Sequence, residues 1–108
     1  MIRLLIQSAN RSLESLLAVT LGDGYEVRVE SDKEKVKQSL AHGRADVLIL
    51  DLNEHHTPLE GALNYISELQ AYRTPIVAMT DDDRRSTAMS LVEHGVYDYF
   101  RTDRKSVV

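Results

Sequence analysis

The sequence predicts a doubly wound α/β domain, with five parallel strands in one sheet and helices packed on it. Three observations carry the prediction. Short apolar runs alternate with helical periodicities, strand then helix, from the first residues to the end of the chain. One run, "VLIL" at 47 to 50, has no polar side chain, as a strand buried on both faces requires. A chain of 108 residues makes one domain, so all the elements must share a single sheet. Strands separated by helices pair in parallel, because right-handed crossovers place the helices over the faces.

Each element has its own signal. "IRLLIQ", 2 to 7, is a short apolar strand. Asn10 can cap the helix that follows, in which Leu13, Leu16, Leu17 and Leu21 recur at spacings of three and four. That leucine stripe is expected in the core, and Gly22 suits the helix end. In "YEVRVE", Tyr25, Val27 and Val29 alternate as in a half-buried strand. "SDKE", 31 to 34, reads as a capping box of Ser31 with Glu34, opening a helix with Val36 and Leu40 inward and Gly43 at its stop. The buried strand then runs to Asp51.

"TPLE", 57 to 60, repeats the device with Thr57 as cap, Pro58 at the first helical position and Glu60 reaching back. Leu59, Leu63, Ile66 and Leu69 then face inward. "PIVAM", 75 to 79, is the fourth strand, and Asp81 to Asp83 cap a fourth helix with Ala88, Leu91 and Val92 buried and Gly95 at its end. "VYDYF", 96 to 100, is the fifth strand. The eight residues after Phe100 are too few for a full covering helix. The last helix is therefore expected to be short or missing, leaving an apolar patch open to a partner.

Composition narrows the function classes. Apolar residues at 43% and charged residues at 28% are ordinary for a soluble globular domain. The absence of cysteine excludes disulfides and thiolate metal sites. Net charge is −4, and basic residues are scattered apart from Arg84–Arg85 and Arg101–Arg104–Lys105. Without a basic stripe, direct nucleic-acid binding is not expected. "MIRLLIQSA" is too short an apolar run for a signal peptide or a membrane span, so a cytoplasmic chain is expected.

In an open parallel sheet, sites form at the carboxyl ends of the central strands. Asp51 stands at such an end, with Asn53 and Glu54 just beyond. His55 and His56 lie close by, but adjacent histidines point apart and zinc wants three or four converging ligands, so a solvated loop is the expectation. His42 and His94 each sit beside a glycine at a helix C-terminus, where an imidazolium suits the dipole.

These residues carry a resemblance. "DVLILDLN" with Asp51, "PIVAMT" ending in Thr80 and "HGVYDYF" with Tyr99, in this helix order, resemble the receiver domains of bacterial two-component response regulators over essentially the whole chain. The resemblance implies a flavodoxin-like strand order, 2-1-3-4-5. It implies a non-enzymatic signalling role in which an aspartate accepts a phosphoryl group from a histidine kinase, a hydroxyl binds the phosphoryl oxygens and an aromatic residue of the fifth strand reports the change. Those roles fall to Asp51, Thr80 and Tyr99. Implied partners are a histidine kinase or other regulator, an output domain after Val108 acting in transcription, and a second copy through the fourth helix and fifth strand.

Elsewhere the chain departs from the pattern. Ser8 and Ala9 stand where receivers carry the acidic pair that holds Mg²⁺, and Thr102 stands in place of the lysine after the fifth strand. The loop after Asp51 is also about two residues longer than usual and lacks the usual Met-Pro. A carboxylate attacking a phosphoryl donor approaches like charge, which the metal neutralises. Mg²⁺ binding and phosphorylation are therefore expected to be impaired, making this a degenerate receiver. Glu54, Asn53 and Arg101 are the candidates to substitute for what is lost.

Two other readings remain. A flavodoxin-like cofactor carrier draws on "SANRS", 8 to 12, whose hydroxyl and amide groups at a helix N-terminus suit phosphate. That segment has no glycine for close approach and no aromatic neighbour to stack on a flavin, and GxGxxG and GxxxxGK[ST] are absent from the chain. A purely structural dimerisation domain is the third reading, distinguished by having no phosphorylation-dependent state.

Overall fold

The computed structural model describes residues 1–53, 59–82 and 84–101. Five strands, β1 (Ile2–Gln7), β2 (Tyr25–Glu30), β3 (Val47–Asp51), β4 (Ile76–Thr80) and β5 (Asp98–Arg101), alternate with α1 (Ser12–Leu21), α2 (Lys33–Ala41), α3 (Leu59–Leu69) and α4 (Arg85–Glu93). All pairings are parallel, and the order across the sheet is β2-β1-β3-β4-β5. The predicted class and order are therefore those observed.

Period-two alternation divides the core into two layers. On one face Leu5, Leu48, Leu50, Ile76 and Ala78 pack against Val36 and Leu40 of α2, Tyr65, Ile66 and Leu69 of α3, and Leu91 of α4. On the other face Leu4, Ile6, Val27, Val29, Ile49 and Met79 form a smaller cluster, against which Leu13 and Leu17 of α1 are half-buried. Leu48 and Ile66 are fully buried, so truncating either to alanine costs about 2–5 kcal/mol.

The leucine stripe of α1 is not core, contrary to the sequence expectation. No residue of α1 is buried, and Leu16 is 60% exposed. The reason is geometric. Five strands spaced about 4.8 Å apart span roughly 19 Å, whereas one helix is about 10 Å wide. A single helix touches such a sheet along a narrow line, and only Leu13 and Leu17 fall on it.

Smaller corrections follow the same logic. The cap of α2 is Asp32, whose Oδ1 accepts the Glu34 amide at 2.9 Å, rather than Ser31. Both residues are good caps, and the extended backbone falls at Asp32. In α4, Val92 is 54% exposed while Thr87, one turn earlier, is buried beside Leu91. Gly95 closes α4 at φ +111°, and a side chain there would collide with that of Gln70. The Thr57 cap, Pro58 and the question of a last helix lie outside the described residues.

Candidate functional site

The site is built where β1, β3 and β4 end side by side. β1 and β3 pair up to Gln7 and Leu50, so the next residues, Ser8 and Asp51, are brought together. Ser8 continues the ladder by donating its amide to Glu30 O at 3.1 Å, and it is completely buried. Its hydroxyl donates to Asp51 Oδ2 at 2.6 Å and accepts the Asn10 amide at 3.0 Å. Ala9 is exposed and offers no side-chain donor atom.

Asp51 is half-buried and holds its own loop as well. Its Oδ1 accepts the Asn53 amide at 2.9 Å, an Asx-type turn that shapes the segment after β3. Asn53 Oδ1 in turn accepts the Asp81 amide at 2.6 Å, tying the loop after β3 to the loop after β4. In that second loop the Asp82 amide donates to Thr80 Oγ1 at 3.1 Å. Thr80, buried at 4% exposure, lies one residue beyond Met79, the partner of Asp51 in the sheet register. Asp51 and Thr80 are thus linked through Asn53 and two backbone amides.

Asp82 fixes the start of α4. Its carboxylate accepts from the Arg84 amide at 2.9 Å, from the Arg84 guanidinium at 2.7 Å and from the Thr87 hydroxyl at 2.8 Å. The Arg84 hydrogen bonds hold the Asp82 carboxyl far below the usual carboxylate range, and the Thr87 bond acts in the same direction. A cleft of about 210 Å³ lies alongside, bounded by Leu52, Leu59, Ala62, Thr80, Asp82 and Thr87.

On the other side of Asp51 is a smaller cavity of about 40 Å³, lined by Gln7, Lys33, Leu50, Asp51, Leu52, Ala62 and Tyr65. Tyr65 donates its hydroxyl to Gln7 Oε1 at 2.5 Å, and Lys33 Nζ sits 4.8 Å from the centre of the Tyr65 ring. Burial, reinforced by the Glu68 and Glu34 charges, pushes the Tyr65 phenol well above its usual range. Gln7, Lys33 and Tyr65 escaped the sequence reading. The one signal available was a polar residue, Gln7, ending an otherwise apolar strand run.

Other predicted residues fall as follows. Tyr99 is on β5 opposite Ala78 and is 38% exposed. Met89 and Val92 of α4 are also exposed, as is Tyr97, just before β5, at 79%. Arg101 stands opposite Thr80 at the end of β5. Glu54, His55, His56 and Thr102 lie outside the described residues. His42 and His94 are at helix ends, each with Nδ1 within 2.8 Å of a carbonyl four residues back, in keeping with a structural role.

Among the described residues the donor set does not fit Mg²⁺. The ion takes near-octahedral oxygen ligands with carboxylate charge among them. Here the place beside Asp51 is filled by a neutral hydroxyl whose proton is already directed at the carboxylate. Among the described residues no group of three or more His, Cys, Asp or Glu side chains converges to hold a metal. The phosphate-like feature of "SANRS" is also committed internally: Asn10 Oδ1 accepts the Ser12 amide at 3.1 Å. No described helix is long and apolar enough to cross a membrane.

No family model matches the sequence, and no curated protein matches it either. Solved structures do match in shape. A two-component response regulator from Clostridium difficile superposes with a TM-score of 0.76 at 15% identity, covering 94% of this chain and 84% of that one. The chemotaxis response regulator CheY4 of Vibrio cholerae gives a TM-score of 0.74 at 21% identity, covering 94% and 87%. The N-terminal domain of the nisin resistance regulator NsrR gives 0.74 at 18% identity, covering 94% and 86%. The fold is that of response-regulator receiver domains.

Proposed function

We propose that this chain is a receiver-type signalling module, not an enzyme, in which Asp51 is the phosphoacceptor of a degenerate site. The observation that carries the reading is the hydrogen-bonded run from Asp51 through Asn53 to the loop that starts α4. A charge added to Asp51 alters the acceptor that holds Asn53, and Asn53 holds the loop against which Thr80 is fixed. Such a change biases a two-state element at α4 and β5, a population shift with a protein-contact readout. Because Ser8 and Ala9 replace the acidic pair, phosphorylation is slow, and partner binding sets the state to a large extent.

The exposed surface of Met89, Val92, Tyr97 and Tyr99 supports contact with protein partners, among them a second copy, a kinase and an attached output domain acting in transcription. The carboxylates that dominate the net charge of −4 argue against nucleic acid as the direct ligand.

Intact-mass spectrometry after incubation with acetyl phosphate tests the assignment, with Asp51→Asn as control. The reading expects one phosphoryl group on the wild type and none on the variant. No gain under any condition would leave Asp51 a structural anion and remove the phosphoacceptor role. Sedimentation velocity tests self-association: the wild type dimerises with concentration, and Val92→Arg stays monomeric.

A further inference from the structure

β2 is an outer strand of the sheet, and its free edge carries a pattern that the site at Asp51 does not use. Two bonds to β1 fix the direction of its main-chain groups: the carbonyls of Gly24 and Glu30 accept the Ile2 and Ser8 amides. Even-numbered residues of β2 therefore face β1, and the amides and carbonyls of Tyr25, Val27 and Val29 face outward. The Val29 amide agrees, since it donates to the Glu14 carboxylate of α1 at 3.4 Å rather than to a strand. Side chains alternate between the faces. Tyr25, Val27 and Val29 pack on the α1 face, which puts Glu26, Arg28 and Glu30 on the other. The charged row thus reads minus, plus, minus along an open edge.

We propose that this edge pairs with the same edge of a second copy, antiparallel about a two-fold axis at Val27, so that two sheets join into one. A two-fold contact must be self-complementary, and the charged row selects its register. Centred on Val27, Glu26 of each copy stands opposite Arg28 of the other. Centring one residue earlier or later sets Glu26 against Glu26 or Arg28 against Arg28, which repel. In the favoured register the outward groups of Tyr25, Val27 and Val29 form about six main-chain hydrogen bonds across the axis. Glu26 and Arg28 fall at the non-hydrogen-bonded positions, where facing side chains come closest. Tyr25 stands opposite Val29, a favourable pairing of aromatic with β-branched residue.

The surroundings permit the approach. Glu26 is exposed, and Arg3, its neighbour on β1, is committed to Asp46. One guanidinium nitrogen of Arg28 donates to Arg44 O at 3.0 Å, which leaves further N–H groups for a carboxylate. Glu14 covers the Val29 amide only at the long limit of a hydrogen bond, and a carbonyl of the second copy replaces it without orphaning the donor. Further along the same flank of α1, Ala18 and Leu21 are exposed, giving the two helices an apolar contact beside the joined strands. β2 and β5 are opposite edges of the sheet, so this contact is separate from the one proposed through α4 and β5. It is held mainly by main-chain bonds at an exposed edge, and it therefore forms at higher protein concentration. A chain that uses both contacts grows past a dimer.

The test is sedimentation equilibrium of the full chain carrying Val92→Arg, which removes association through α4 and β5, at concentrations well above those at which the wild type dimerises. Glu26→Arg and Arg28→Glu are each added singly. Either one alone sets like charges across the axis, whereas an equimolar mixture of the two restores opposite charges at every facing position. Circular dichroism checks that each variant is folded. The expected result is a dimer of the Val92→Arg chain that either added substitution weakens about tenfold, with dimerisation recovered in the mixture. Added salt should weaken the recovered dimer. A mixture that associates no better than its components overturns the proposal. So does dimerisation indifferent to both substitutions, or a Val92→Arg chain that stays monomeric throughout. Each of these leaves the readings of Asp51 and of the α4 and β5 contact as they stand.

Discussion

The Ser8 hydroxyl donates to Asp51 Oδ2 at 2.6 Å, so a neutral, fully buried side chain is the hydrogen-bond partner of the carboxylate that ends β3. A second carboxylate at this buried position would repel Asp51 and need a cation between the two. A hydroxyl needs none. The hydroxyl leaves Asp51 as the one charge of the pair and satisfies it: among the described residues no buried side-chain polar atom lacks a partner.

Ser8→Ala removes that bond and the acceptor of the Asn10 amide. A hydrogen bond to a charged group contributes about 1.5–3 kcal/mol, and urea denaturation should show a loss of that order. Ser8→Asp should also be destabilised at neutral pH, through like charge against Asp51. It should regain stability in Mg²⁺, because a ligand that binds only the native state stabilises it. The melting temperature of the wild type should not respond to Mg²⁺.

The Asp82–Arg84–Thr87 cluster gives a pH dependence with a definite sign. The folded pKa of Asp82 is depressed, so its contribution is present above the unfolded value of about 3.9 and is lost as pH falls through the acid range. Comparison of wild type with Asp82→Asn should show a stability difference that is flat from neutral pH down to about pH 5 and shrinks below it. Because Arg84 is largely exposed, added salt should reduce the difference.

Tyr65 behaves in the opposite sense. Its phenol is held above the usual range by burial, so the folded state keeps its proton longer than the unfolded chain, and stability falls as pH rises past about 10. Phenolate absorbance during alkaline titration should show a late-ionising tyrosine that Tyr65→Phe abolishes. The same variant frees the oxygen of Gln7 and should cost about 1 kcal/mol at neutral pH.

The strands were legible because a buried parallel strand leaves an unbroken apolar run, and "VLIL" is one, whereas their order across the sheet came only with the resemblance to receiver domains. What helical spacing could not tell is how much of a face the sheet would cover. Leu16 and Leu13 share the α1 stripe, yet only Leu13 meets the sheet. Val92 failed for the same reason on α4. In the site, Asp51 could be placed from its strand alone, while Thr80 and Ser8, just past the ends of theirs, were singled out by the resemblance. The contact of Tyr65 with Gln7 joins residues 58 apart in the chain, and only the folded sheet brings them together. Asn53 looked like a polar loop residue; its role as the tie to the Asp81 amide depends on two loops meeting.

The central claim is that Asp51 and the α4–β5 surface form one coupled unit. Amide chemical shifts of the phosphorylated chain, compared with the unmodified chain and with Asn53→Ala, test it most directly. The account predicts shifts at Asn53, Asp81 and Asp82 that extend to Thr87, Leu91 and Tyr99, and that stop at the loop after β3 when Asn53 is replaced. Shifts confined to the immediate neighbours of Asp51 in the wild type would contradict it.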